Sequence, residues 1–276
     1  MKQNRPLSYS ALKAFSKSPK HLIAYWNKVF TPTPAMALGS LIHVMILEPQ
    51  EFENRYFALD DEEICLDLIA EGAKSPRANG KYKAWKLEEM KKAEGKEIVN
   101  IEDVKLAKKI AKSVIEHPLV KALTFKEELI EWTFNGQPFK GFVDGAGALL
   151  PEAFRDQEGQ GYILDVKTTK DAEPEAFKRD FVKYGYHNQG AAYKNANEEL
   201  KFAGINPKYY VIAVETAEPF INQVYEIPQE FIDKGLVKSI KLIEDFKAWD
   251  GTPAGYEFGN ELAKNGVLTL YPPAWL

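Results

Sequence analysis

The sequence predicts a mixed α/β protein with one central sheet flanked by helices and a helical N-terminal part. Three observations predict it. Helix-start signals crowd the first third of the chain. The hydrophobic period then shifts from that of a helix to that of a strand near Leu129. Beyond that point strands alternate with long helical segments, the pattern of a sheet layered with helices.

Ser8 can cap a short helix carrying Leu12 and Phe15, and Ser18-Pro19 opens another through Leu22, Ile23 and Trp26. Thr33-Pro34 repeats that signal for an apolar helix over 35–47, which ends before Pro49. Residues 50–100 hold an acidic cluster and a lysine-rich stretch, and are expected to form exposed helices and loops. Asn100 can cap a helix running to His117-Pro118. Segments 129–134 and 139–143 flank Asn135-Gly136-Gln137-Pro138, a hairpin turn. A turn-rich stretch, 145–161, leads into a strand from Tyr162. Pro174 opens a helix expected to reach Lys201, strands follow over 209–215 and 222–227, and Pro228 opens a helix to about Trp249. The apolar ending, 271–276, is expected to dock on the body.

The net charge of −4 argues against coating nucleic acid by bulk attraction. Its distribution is uneven. The first 47 residues carry Lys2, Arg5, Lys13, Lys17, Lys20 and Lys28 without an Asp or Glu, so the acidic excess lies in the rest. Cys65 is the single cysteine, which excludes an intrachain disulfide and a cysteine-built metal site. There is no apolar run of the ~20 residues that span a bilayer and no apolar leader, so a cytoplasmic, non-membrane protein is expected. Phosphate-cradling glycine loops, a Gly-x-Ser-x-Gly elbow and His-x-x-x-His spacing are all missing.

In Tyr162-Ile163-Leu164-Asp165-Val166-Lys167-Thr168-Thr169 the strand period puts Asp165 and Lys167 on one face and Leu164 and Val166 on the other. A carboxylate and an ammonium in an apolar strand are costly, unless they hold a hard cation and handle charge at a reacting group. Asp144, before Gly145, is either a turn residue or a second metal carboxylate on a neighbouring strand. His43 stands mid-helix one turn after Gly39 and Ser40, which permit close approach, and is either a core histidine or a ligand; Glu131 reads first as an exposed strand residue and second as a further carboxylate. Gln189 and Tyr193, four residues apart, share a helix face.

This ordered set, with Leu47-Glu48-Pro49 after the His43 helix, resembles the PD-(D/E)xK nucleases. It is most similar to the RecB and lambda-exonuclease branch, and within it to the nuclease domain of RecE, exodeoxyribonuclease VIII. The resemblance spans residues 7–193. It implies a restriction-endonuclease-like core and a single nuclease domain over 1–276, divided into a helical part (1–120), an α/β catalytic core (121–250) and a tail (251–276). It implies Mg2+ or Mn2+, as two ions, at Asp144 and Asp165 with help from the Val166 carbonyl, His43 and Glu131. Lys167 would orient or deprotonate the attacking water, and Gln189 and Tyr193 would support the site. Lys13, Lys17 and Lys20 are expected to touch DNA. The implied activity is exonucleolytic degradation of double-stranded DNA ends, 5′ to 3′, for recombination. The implied setting is a phage or prophage in a bacterial host. The implied assembly is a ring, trimer or tetramer, working beside a single-strand annealing protein. An endonuclease of the same fold and an inactive DNA-binding module are the alternatives. The long 145–161 interval departs from the family pattern and is expected to reshape the DNA entrance.

Overall fold

The computed structural model describes residues 5–29, 31–156, 158–259 and 267; the 271–276 ending lies outside them. Its N-terminal helices are α1 (Tyr9–Phe15), α2 (Pro19–Asn27) and α3 (Pro34–Leu47). Each begins as its local chemistry dictates, with the Ser8, Ser18 and Thr33 side chains accepting from backbone N–H groups of the first turn.

Residues 50–100 hold more order than expected. A short helix α4 (Phe52–Arg55) leads to β1 (Tyr56–Leu59), and α5 (Glu62–Ala70) and α6 (Gly80–Lys91) follow. Strand β2 (Glu97–Asn100) then returns to pair with β1 in parallel, forming a separate two-stranded sheet. The intervening helices are tied by Asp61, whose buried carboxylate accepts from Arg77 Nε at 2.7 Å and from the Tyr82 hydroxyl at 2.7 Å. Next come α7 (Ile101–Lys112), capped by Asn100, and the one-turn α8 (Pro118–Lys121).

The central sheet runs β3 (Phe125–Phe134), β4 (Gln137–Gly147), β5 (Gln160–Thr169), β6 (Ile205–Glu215) and β7 (Asn222–Glu226), in that spatial order. Within this five-stranded sheet, among the described residues, only the β5–β6 pair is parallel. Their crossover carries α9 (Pro174–Tyr184) and α10 (Tyr186–Leu200), where the sequence suggested one helix. Gly185 divides them by adopting a left-handed conformation, φ 73°. Helix α11 (Gln229–Ala248) packs on α10. That contact is close enough that a Cβ on Gly235 would lie 2.3 Å from the His187 carbonyl oxygen.

Both sheet faces are covered. Leu7, Phe15, Phe177, Phe181, Ala192 and Phe246 belong to the core on one face. Leu41, Ile42, Ile110 and Val114 belong to the core on the other, with Leu164 and Val166. Every residue from Gln160 to Val166 is buried, as a central strand between two helical layers requires. Among the described residues no helix is long and apolar enough to cross a membrane.

Candidate active site

Pairing between β4 and β5 runs from Gly147↔Tyr162 to Gly145↔Leu164 and stops one step short of Asp144 and Asp165. In place of a ladder bond, the Val166 N–H donates to Asp144 Oδ2 at 2.7 Å. The strands part where their acidic residues stand, and the two carboxylates turn to different partners.

Asp144 meets α3 and β3. His43 Nδ1 lies 3.7 Å from Asp144 Oδ2 and 3.4 Å from Glu127 Oε1. One ligand-type atom from each of His43, Glu127 and Asp144 falls within 4.8 Å of the other two. Asp165, 1% exposed, instead pairs with Lys167, Nζ to Oδ2 2.5 Å, and accepts from Gln189 Nε2 at 3.2 Å. Gln189 Nε2 also lies 3.1 Å from the Tyr193 hydroxyl, which donates to the Phe142 carbonyl at 2.5 Å. Helix α10 is thus bonded to both diverging strands at the point of divergence.

Residues 8–252 match the model of a family described as a PDDEXK-like domain of unknown function, DUF3799. The chain belongs to this family. The DUF3799 fold is similar to the crystal structure of a candidate exonuclease from Eubacterium rectale. The TM-score is 0.55 over 99% of this chain and 92% of that chain, at 13% sequence identity. No curated protein matches the sequence.

The structure brings together most of the residues singled out in this DUF3799 sequence, with differences at Glu131, at Asp165 and at the N-terminal lysines. Glu131 is not at the cluster. It is exposed and pairs across the hairpin with Lys140, four residues along β3 from the acidic residue that is there, Glu127. The signal for Glu127 lies in the turn. A two-residue Asn135-Gly136 connection, with both residues at positive φ, pairs Phe134 with Gln137, and counting back down the hairpin sets Glu127 opposite Asp144. Glu127 itself adopts φ 46°, a left-handed conformation that costs a non-glycine residue about 1 kcal/mol or more. The second difference concerns Asp165, which stands outside the three-residue set, held by Lys167 and Gln189. Val166 contributes its N–H to Asp144. Lys13 and Lys17 line a cavity beside α9, whereas Lys20 is exposed near the Glu257 carboxylate.

Electrostatics separate the roles in this DUF3799 site. Burial pushes the His43 imidazole down, but Asp144 and then Glu127 outweigh it and hold its pKa above the ordinary value. Burial raises Asp165, and the Asp144 charge adds to that against the pull of Lys167. Lys167 is raised, because Asp165 and Asp144 overcome the cost of burying an ammonium. Its Nζ also sits 5.1 Å above the Tyr186 ring, a further contact that favours the charged form. Tyr193 is raised by burial and then by Asp144 and Asp165, so it stays a neutral donor.

Does this constellation suit a metal ion? One imidazole nitrogen and two carboxylates are donor types that Mn2+ and Mg2+ accept. Three acidic groups (Glu127, Asp144, Asp165) face the single Lys167 ammonium and an imidazole, a surplus of negative charge that a divalent cation would offset. The residues fit.

Proposed function

We propose that the protein is a metal-dependent exodeoxyribonuclease that degrades double-stranded DNA from its ends, 5′ to 3′, leaving single-stranded tails for recombination. The observation that carries this reading is the His43–Glu127–Asp144 cluster set beside the Asp165–Lys167 pair at a strand divergence. Membership of a PDDEXK-like family and likeness to the fold of a candidate exonuclease support it.

His43, Glu127 and Asp144 would hold Mg2+ or Mn2+, with Asp165 available to a second ion. Such an ion supplies a lowered pKa for a bound water and charge neutralisation at the phosphate. The residues do the rest. Lys167 keeps its proton, since its pKa is raised, and acts as a charged donor to a non-bridging phosphate oxygen rather than as a base. Asp165 holds that ammonium in place and accepts a hydrogen bond from the attacking water as it loses its proton. Gln189 and Tyr193 fix the strand ends through Asp165 and the Phe142 carbonyl. Attack of water at phosphorus forms one P–O bond as another breaks; the water's proton passes by way of Asp165 to solvent, the leaving oxygen takes a proton from solvent water, and the products are a hydroxyl and a phosphate monoester.

The test uses linear duplex DNA and a covalently closed circle with Mg2+, with EDTA, and with Lys167→Ala. Loss of the linear DNA alone, abolished by EDTA and by the substitution, is expected. Nicking of the circle would make the protein an endonuclease. Binding without cleavage of either would leave a DNA-binding module.

A further inference from the structure

Three clefts follow one another across the surface. The first, about 580 Å³, is lined by His43, Glu127, Gly39 and Thr168. The second, about 540 Å³, shares Ala35 and Thr168 with the first and reaches Lys183 and Tyr184. The third, about 140 Å³, shares Lys183 and Tyr184 with the second and is lined also by Lys13, Lys17 and Lys238. A trench therefore leads from the metal-ligand cluster to a small cavity bearing four lysines.

That cavity is unusual on two independent grounds. Lysines 13, 17, 183 and 238 line it with no acidic side chain, and none has a carboxylate partner among the described residues. The Lys13 and Lys183 ammonium groups sit 5.4 and 5.2 Å from the same Tyr184 ring, which places both charges beside one wall of the cavity. Burial, and then the neighbouring Lys17 and Lys167 charges, holds the Lys13 pKa below its ordinary value. The second ground is polar. Ser239, 1% exposed, lines the same cavity, and its Oγ is buried without a hydrogen-bond partner. A buried hydroxyl left unpaired costs about 1–3 kcal/mol. A small oxyanion would supply the missing counter-charge and an acceptor for the serine.

We infer that this cavity binds a phosphate group of the nucleic-acid strand lying in the trench, an inference that rests on the nuclease reading above. Its lysines provide the charge and Ser239 the directed hydrogen bond, while the shared wall of Lys183 and Tyr184 keeps the phosphate in line with the cleft that leads to the metal ligands. The shared chemistry is that of a phosphate oxygen, whether from a phosphodiester within the strand or a monoester at its end.

The experiment measures binding in EDTA, where nothing is cleaved, by fluorescence anisotropy of one duplex carrying either a 5′-phosphate or a 5′-hydroxyl. Wild type is compared with the cavity double variant Lys13→Gln/Lys183→Gln, with Ser239→Ala, and with Lys74→Gln/Lys83→Gln, which makes the same charge change at two exposed lysines outside the cavity. Thermal melting confirms that each variant is folded. The cavity double variant is expected to lose roughly tenfold in affinity and to lower the salt slope of log K by about 1–2. Ser239→Ala is expected to lose several-fold, and Lys74→Gln/Lys83→Gln to stay near wild type. Equal loss on both duplexes would identify an internal phosphodiester as the occupant, and loss confined to the phosphorylated end a terminal monoester; either supports the inference. Unchanged binding by the cavity double variant, or an equal effect of Lys74→Gln/Lys83→Gln, overturns it and leaves the nuclease reading intact. Failure of wild type to bind either duplex would overturn both.

Discussion

At the scale of single residues, the site separates charges that the sequence places two apart. Asp165 and Lys167 share a face because a strand alternates, and that much is legible without coordinates. Glu127 was not, because its place is set by a turn eight residues further on and by a left-handed backbone that no strand pattern signals. Exchanging the two candidate acids therefore discriminates. Glu127→Gln is expected to weaken Mn2+ binding and slow cleavage by about 10–100-fold, as loss of a ligand or its close support does elsewhere. Glu131→Gln should leave both near wild type, and isothermal titration beside a cleavage assay reads the difference. The raised His43 pKa sets a pH dependence. A protonated imidazole cannot ligate, so the cation must displace a proton; affinity should rise with pH through the elevated His43 pKa and level off above it. Titrations at pH 6, 7 and 8 should show that trend, and His43→Gln should flatten it.

At the scale of elements, the helix starts were legible because capping is local chemistry: Ser8, Ser18-Pro19, Thr33-Pro34 and Asn100 all cap where they stand. Strands β1 and β2 were hidden for the opposite reason. Each is four residues long, and their pairing joins segments about forty positions apart through two helices, so neither has an alternating pattern to show. The helices between them depend on Asp61, whose carboxyl the Arg77 guanidinium holds down at about 2, burial opposing and Tyr82 assisting. A depressed carboxylate gives stability that is present above its unfolded pKa of about 3.9 and lost as pH falls toward 2. Acid unfolding followed by circular dichroism should show that loss between those limits, and Asp61→Asn should be less stable at neutral pH and lack this component. The α10–α11 contact admits only glycine at 235. Gly235→Ala drives a methyl into the His187 carbonyl and is expected to destabilise by about 1–3 kcal/mol in urea unfolding.

Across the whole molecule, the candidate ligands come from distant parts of the chain: His43 from the N-terminal helices, Glu127 and Asp144 from one hairpin. A cation that bridges them ties the helical part to the sheet. Any ligand that binds only the folded state stabilises it, by about 2.7 kcal/mol at a hundredfold excess over Kd. Mn2+ should therefore raise the melting temperature of wild type, and His43→Ala should abolish most of the rise. The Asn135-Gly136 turn has a wider consequence. It works as a length gauge: the distance from the hairpin tip to Glu127 on one strand must equal that to Asp144 on the other. Residues gained or lost in matched pairs would leave the two carboxylates face to face, whereas a single unmatched insertion would separate them without touching either one. The exposed tip, remote from any chemistry, is thereby one of the positions where a small edit is expected to silence the candidate site.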